Sequence, residues 1–289
     1  MNLGVLFASL SGAFYGTLGL FGVLLIREGF TISNFLFWRF LLSVILLLPF
    51  LNSKQAWKDT FSKSGMVITI ISGLFYGVAT SSYFYAVEYI GSGLAMVLFF
   101  CYPIFVVILN WLHGKNTPSP ITIIGLFIVI CGTLCLSDPK QWNVSFYGLA
   151  WGLLCAFCFG IYFYTSQREI KNISVVSGTF CICLGNCLCF ALCSLFTQEL
   201  KLPTTSSALL NIGALASLAT LLPIYLVFLS LRYISGTKAS ILSVFEPIVT
   251  IILGVVFLKE HVSYLQYLGV LIVLIGVYLV QSCKKEHRT

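Results

Sequence analysis

The sequence predicts an all-α integral membrane protein with ten transmembrane helices, arranged as two inverted five-helix repeats. Three observations carry that expectation. Hydrophobic residues make up 59% of the 289-residue chain, charged residues 9%, and the mean hydropathy is +1.01, whereas soluble domains carry about 25% charged residues. Ten stretches approach the roughly 20 apolar residues that a helix needs to cross a bilayer. Residues 88–136 also recur 144 positions later as residues 232–280, with fourteen of 49 gapless positions identical, among them Pro103/Pro247, Gly125/Gly269 and Gly132/Gly276. Unrelated apolar segments agree at roughly one position in ten, so the recurrence indicates duplication.

The first span, 3–26, follows no basic leader segment and ends in no small-residue cleavage site, so it is expected to remain as a helix. Spans at 32–51, 65–87, 93–111 and 121–136 complete the first repeat, residues 1–136. The polar run 137–145, SDPKQWNVS, reads as a linker. The second repeat, residues 146–289, holds spans at 146–164, 175–196, 209–231, 236–257 and 264–282, followed by a short tail. No connection is long enough for a soluble domain. Five is an odd number, so the two copies must cross the membrane in opposite senses, as in secondary transporters whose site lies near the midplane.

The net charge of +7 would favour nucleic acid on a soluble protein. Here it is distributed as membrane topology demands. One set of loops and tails carries ten Lys and Arg, the other only Arg27, Lys140, Lys201 and Lys259. The richer face is expected to be cytoplasmic, with both termini inside, in a bacterial inner membrane. The expected partners are the bilayer and a small-molecule substrate, with no nucleic acid. Ten of the eleven cysteines fall within apolar runs with no His or carboxylate among them, so free thiols are expected and neither a metal nor a cofactor.

Charges inside a bilayer are costly and mark candidate sites. Three lie within predicted spans: Arg39, Lys238 and Glu246. Glu246 is the deepest and directly precedes Pro247, whose ring displaces the Ser243 carbonyl. Glu246 with Ser243 therefore forms a candidate cation site, with a proton as candidate coupling ion; the alternative is an ion pair of Glu246 with Arg39 or Lys238 that fixes helix packing. Pro103 and Pro247 are candidate gating kinks. Arg39 could grip a substrate carboxylate or phosphate with its planar fork, or could snorkel to the interface. Lys238, near the start of its span, is expected to be a snorkelling or loop-proximal group and not a ligand. Tyr15, Tyr76, Tyr83, Trp151, Tyr162 and Tyr225 fall near mid-span, where their polar ends need a partner or water. As a set they could wall a cavity and hold a ring or a cation; taken singly, most of them are expected to be packing.

The run from residue 228 to residue 280 resembles the EamA family of the drug/metabolite transporter superfamily. The matching features are Ser235 with Gly236, the pair Glu246-Pro247, Glu260, and Gly269 with Gly276; Tyr15-Gly16 and Arg39-Phe40 match the start of the family's first repeat. The resemblance implies a ten-helix bundle with a central cavity that exports or exchanges small metabolites such as amino acids, amines, nucleosides or S-adenosylmethionine-like compounds. The first repeat departs from the pattern, with Tyr102 before Pro103 and Asn116 where the second copy has Glu260. Any coupling role therefore falls on Glu246. The expected function is a secondary carrier working by alternating access. The alternatives are a passive channel or facilitator, and a membrane-embedded lipid-modifying enzyme. No clustered carboxylates or histidines support the enzyme, so no catalytic residue is assigned.

Overall fold

The computed structural model describes residues 3–114, 118–136, 145–197, 200–258 and 263–282, and among them every regular element is helical. Most of the linker, together with Lys115, Asn116, Lys140, Lys259, Glu260 and Cys283, lies outside the described residues. Among the described residues seven helical runs are long and apolar enough to cross a membrane, and two shorter apolar helices, Pro120–Leu136 and Tyr264–Val280, accompany them.

The first run, α1 (Leu3–Tyr15) and α2 (Leu18–Arg27), is a single span in the sequence but is stepped in the structure. The step falls at Gly16 and Thr17, where side chains replace helical bonds. The Thr17 hydroxyl donates to the Phe14 carbonyl at 2.7 Å, and the Thr250 hydroxyl lies 3.2 Å from the Gly16 carbonyl. Next along the chain are α3 (Ile32–Leu47) and α4 (Lys54–Thr60). Hydropathy alone assigns α4 to a loop. It forms because Ser53 caps it, accepting from the Ala56 N–H at 3.0 Å, and because it turns Ala56 and Thr60 inward while Lys54 and Lys58 face out.

The chain continues through α5 (Lys63–Ile71), a π-helical turn at Ser72–Tyr76, α6 (Gly77–Phe99), α7 (Tyr102–Gly114) and α8 (Pro120–Leu136). The run 63–113 is 51 residues long, about 76 Å at a 1.5 Å rise per residue. It reverses at Gly91, with φ +78° and ψ 159°. That positive φ is open to glycine and strained for other residues, so one residue does the work of the five-residue loop expected between spans 65–87 and 93–111.

The remaining elements are α9 (Phe146–Glu169), α10 (Val175–Thr197), α11 (Ser206–Ala216), α12 (Leu222–Ser230), α13 (Gly236–Leu242), α14 (Glu246–Leu258) and α15 (Tyr264–Ser282). A π-helical turn at Ser217–Leu221 separates α11 from α12, and a 3-10 turn at Ser243–Phe245 separates α13 from α14. Pro103 and Pro247 stand second in α7 and α14. There their missing N–H groups remove no helical bond, so each proline begins a helix after a break and does not bend a continuous one.

Several close contacts across the molecule come in reciprocal pairs. A Cβ on Gly16 would sit 2.7 Å from the Glu246 carbonyl oxygen and from Val249, and one on Gly160 would meet Phe105 at 2.7 Å and the Tyr102 carbonyl at 3.4 Å. Adding or subtracting 144 turns one contact into the other. Gly4 against Tyr233 and Ile234 likewise mirrors Gly148 against Tyr89 and Ile90. Gly125 with Gly276 and Gly132 with Gly269 let α8 and α15 approach backbone to backbone.

Candidate functional site

Five segments surround a cavity of about 410 Å³, within the usual range for small-molecule pockets, roughly 300–1,000 Å³. Residues 15–26 of α1 and α2, the first turns of α3, α6 on both sides of Gly91, α9 near Phe159, and α14 from Glu246 to Leu253 line it. The deep end holds Tyr15, Arg39, Tyr76 and Glu246. From there the cavity runs toward Ile26, away from the end of the bundle that carries the start of α1.

Of the residues singled out from the sequence, Tyr15, Arg39, Tyr76, Tyr83 and Glu246 line this one cavity. Tyr162 stands one layer behind, its ring 5.0 Å from that of Tyr76. Trp151 is elsewhere, packed on Tyr85 at 5.1 Å in a satellite cluster around Ala86 and Ile90. Tyr225 and Ser243 do not reach the lining. Lys238 is buried at 9% exposure and does not snorkel, because α13 packs among α1, α7, α9 and α15.

The Ser243 carbonyl is not left open as the sequence suggests. The backbone tightens to a 3-10 turn, so the Glu246 N–H donates to that carbonyl in place of the N–H Pro247 lacks. The same carbonyl presses on α1, where a Cβ on Gly12 would lie 2.5 Å away. Glu246 therefore meets the cavity without a backbone oxygen beside it.

Arg39 is 1% exposed and sits at the cavity's back wall. Its Nη2 donates to the Ala219 carbonyl at 3.0 Å and its Nε to the Thr220 hydroxyl. Ala219 lies four residues before Pro223, so its carbonyl has no helical partner, and the guanidinium takes that place. No such donor serves Glu246. Among the described residues its carboxylate accepts no hydrogen bond from the protein and forms no ion pair with Arg39 or Lys238.

Sequence reasoning missed most of the wall. Phe35, Phe84, Phe99, Phe100 and Phe159 join the tyrosines, and Thr80, Ser92 and Thr250 add hydroxyls. Phe99 packs 6.0 Å from Tyr83 and 5.0 Å from Phe159. Proximity of Phe99 and Phe100 to Pro103 was the one available signal; the 25 phenylalanines of this chain otherwise give none.

Below the cavity the bundle is closed by polar contacts. The Tyr102 hydroxyl donates to the Ser240 carbonyl at 2.9 Å. Gln167 Nε2 donates to Asn110 Oδ1 at 2.8 Å, and Asn110 Nδ2 to the Thr237 hydroxyl at 3.3 Å. These bonds tie α9 to α7 and α7 to α13. At the opposite rim, Thr205, Ser207 and Asn211 donate to the Glu28 carboxylate, Ser207 at 2.7 Å, and Lys201 Nζ donates to the Glu28 carbonyl at 2.7 Å. These partners, Ser207 foremost, hold the Glu28 carboxyl below its usual range despite partial desolvation.

The fold and site are those of a multi-pass helical membrane bundle enclosing an aromatic cavity that Glu246 faces. The comparisons name the family: the profile described as EamA-like transporter family matches residues 2–138 and again 146–282, and the chain belongs to that family. It is 26% identical over 211 residues to an uncharacterized transporter of Synechocystis sp., covering 71% of this chain and 63% of that protein. It is 22% identical to the uncharacterized transporter YoaV of Bacillus subtilis, covering 82% and 81%, and 25% identical to an uncharacterized transporter of Archaeoglobus fulgidus, covering 87% and 85%. The fold is shared with a solved structure titled only as a crystal structure of protein, at TM-score 0.80 and 17% identity over 96% of this chain and 95% of that one.

Proposed function

We propose that the protein is a secondary carrier that moves a small polar metabolite, of amino acid, amine or nucleoside type, across a bacterial inner membrane by alternating access. The observation that carries this reading is the one-sided cavity. It ends at Glu246 near mid-bundle, while the end below it is shut by the Tyr102, Asn110 and Gln167 contacts. A chain of two interchangeable halves could open either end from one set of contacts. The reciprocal glycine contacts and the two separate family matches support that view.

On this reading the halves are residues 1–136 and 146–289, joined by 137–145, and they are inverted. The run 63–113, reversing at Gly91, counts as two crossings; with the six other long runs and the two shorter apolar helices this makes ten. Both termini are then cytoplasmic by the excess of basic residues on that face.

Flux into proteoliposomes tests the reading. A carrier shows saturable uptake accelerated by substrate on the far side; a channel shows neither, and an enzyme turns substrate over without flux. If a proton is the coupling ion, Glu246→Gln abolishes concentrative uptake and leaves exchange partly intact. Concentrative uptake that survives the substitution unchanged removes Glu246 from coupling.

A further inference from the structure

Among the described residues two charged side chains reach the cavity, and the fold treats them oppositely. The Arg39 guanidinium is turned into the wall, 1% exposed, with two of its nitrogens bonded to Ala219 and Thr220. The Glu246 carboxylate faces the cavity with no hydrogen bond from any described residue. A carboxylate away from bulk water is stabilised either by taking up a proton or by a cationic partner, and a cationic head group on the ligand supplies such a partner. Around it, Tyr83, Phe99 and Phe159 form a continuous aromatic wall with ring centres 5.0–6.0 Å apart, whose faces attract cations as well as apolar groups.

From this arrangement we infer that the cavity selects organic cations with a ring-bearing apolar body, the ammonium group seated at Glu246 and the body against Tyr83, Phe99 and Phe159. Glu246 is then the residue that sets head-group specificity. An anion of the same shape would place like charge against Glu246. A zwitterion would bring a carboxylate for which the committed Arg39 offers no comparable fork. The inference rests on reading the cavity as a carrier's binding site, and it narrows that reading to one class among amines, amino acids and nucleosides.

Three probes that share a ring and differ only in head group test it: phenethylamine, phenylalanine and 3-phenylpropionate. Each is titrated against the full-length protein in lipid nanodiscs, by thermal shift and by calorimetry. The amine is expected to stabilise the protein most, the amino acid less and the acid not at all. Glu246→Gln is expected to weaken the amine about tenfold to a hundredfold. Because the head-group order is measured on the unaltered protein, it stands even where the variant folds poorly. Equal or tighter binding of 3-phenylpropionate, unchanged amine affinity in Glu246→Gln, or silence from all three probes overturns the inference. Flux separates it from the carrier reading. Amine binding without uptake or exchange in proteoliposomes sinks the carrier and keeps the cation site, whereas saturable exchange of phenylalanine with no response to the amine does the reverse.

Discussion

Arg39 shows how a membrane-embedded charge can be consumed by the fold that holds it. Pro223 deprives the Ala219 carbonyl of its helical donor, and Arg39, 180 residues earlier, supplies one. A lysine would keep the charge but not the two-point grip. Arg39→Lys is therefore expected to cost about 1–3 kcal/mol of stability and to lower transport of every substrate, anionic or not. Denaturation in detergent measures the first and flux the second. Thr220→Val should remove part of the same stabilisation, with the double variant less than additive. At the rim, Glu28 has its carboxyl held below the ordinary range by Ser207, Thr205, Asn211 and Lys201. Its contribution to stability is therefore present above the ordinary carboxylate pKa, about 4.3, and is lost as pH falls through that value and below. The difference in melting temperature between the unaltered chain and Glu28→Gln should be largest near neutrality and vanish in acid; a gap that persists in acid would assign it to packing.

At the level of single helices, small residues decide where backbones touch. Gly16→Ala places a methyl 2.7 Å from a carbonyl oxygen that cannot turn aside and is expected to lower the melting temperature. Gly213 is the opposite case: it lies inside α11, and a Cβ added there would have nothing within 4 Å. Gly213→Ala should therefore stabilise by about 0.5–1 kcal/mol through helix propensity alone. The two substitutions measured side by side distinguish close approach from propensity. These helices also explain what could be read in advance. Hydropathy marks how far along a span a residue lies, and Tyr15, Tyr83 and Glu246, all near mid-span, line one cavity. It says little about which way a residue faces on a helix apolar all round, and so Trp151 and Tyr225 share that depth but not the cavity. The π-helical turns at 72–76 and 217–221 rotate the helices C-terminal to them, α6 and α12, and no local motif announces them.

For the molecule as a whole, duplication was legible because prolines and glycines keep their spacing, whereas the polar closure is assembled from side chains far apart in the chain. Asn110 and Gln167 lie 57 residues apart, Asn110 and Thr237 127 apart, and none of the three is unusual in its own span. Asn110→Ala removes both bonds at once. It is expected to cost about 1–3 kcal/mol and, if that end opens during transport, to raise the rate of exchange; a destabilised protein with unchanged exchange would make the closure purely structural. The reciprocal glycine contacts carry a further consequence. Two of these joints have a twin at a known address, Gly4 with Gly148 and Gly16 with Gly160. A methyl inserted at one twin obstructs a different joint from the same methyl at the other, so matched pairs of substitutions provide two opposite faults of nearly equal size, each serving as the control for the other.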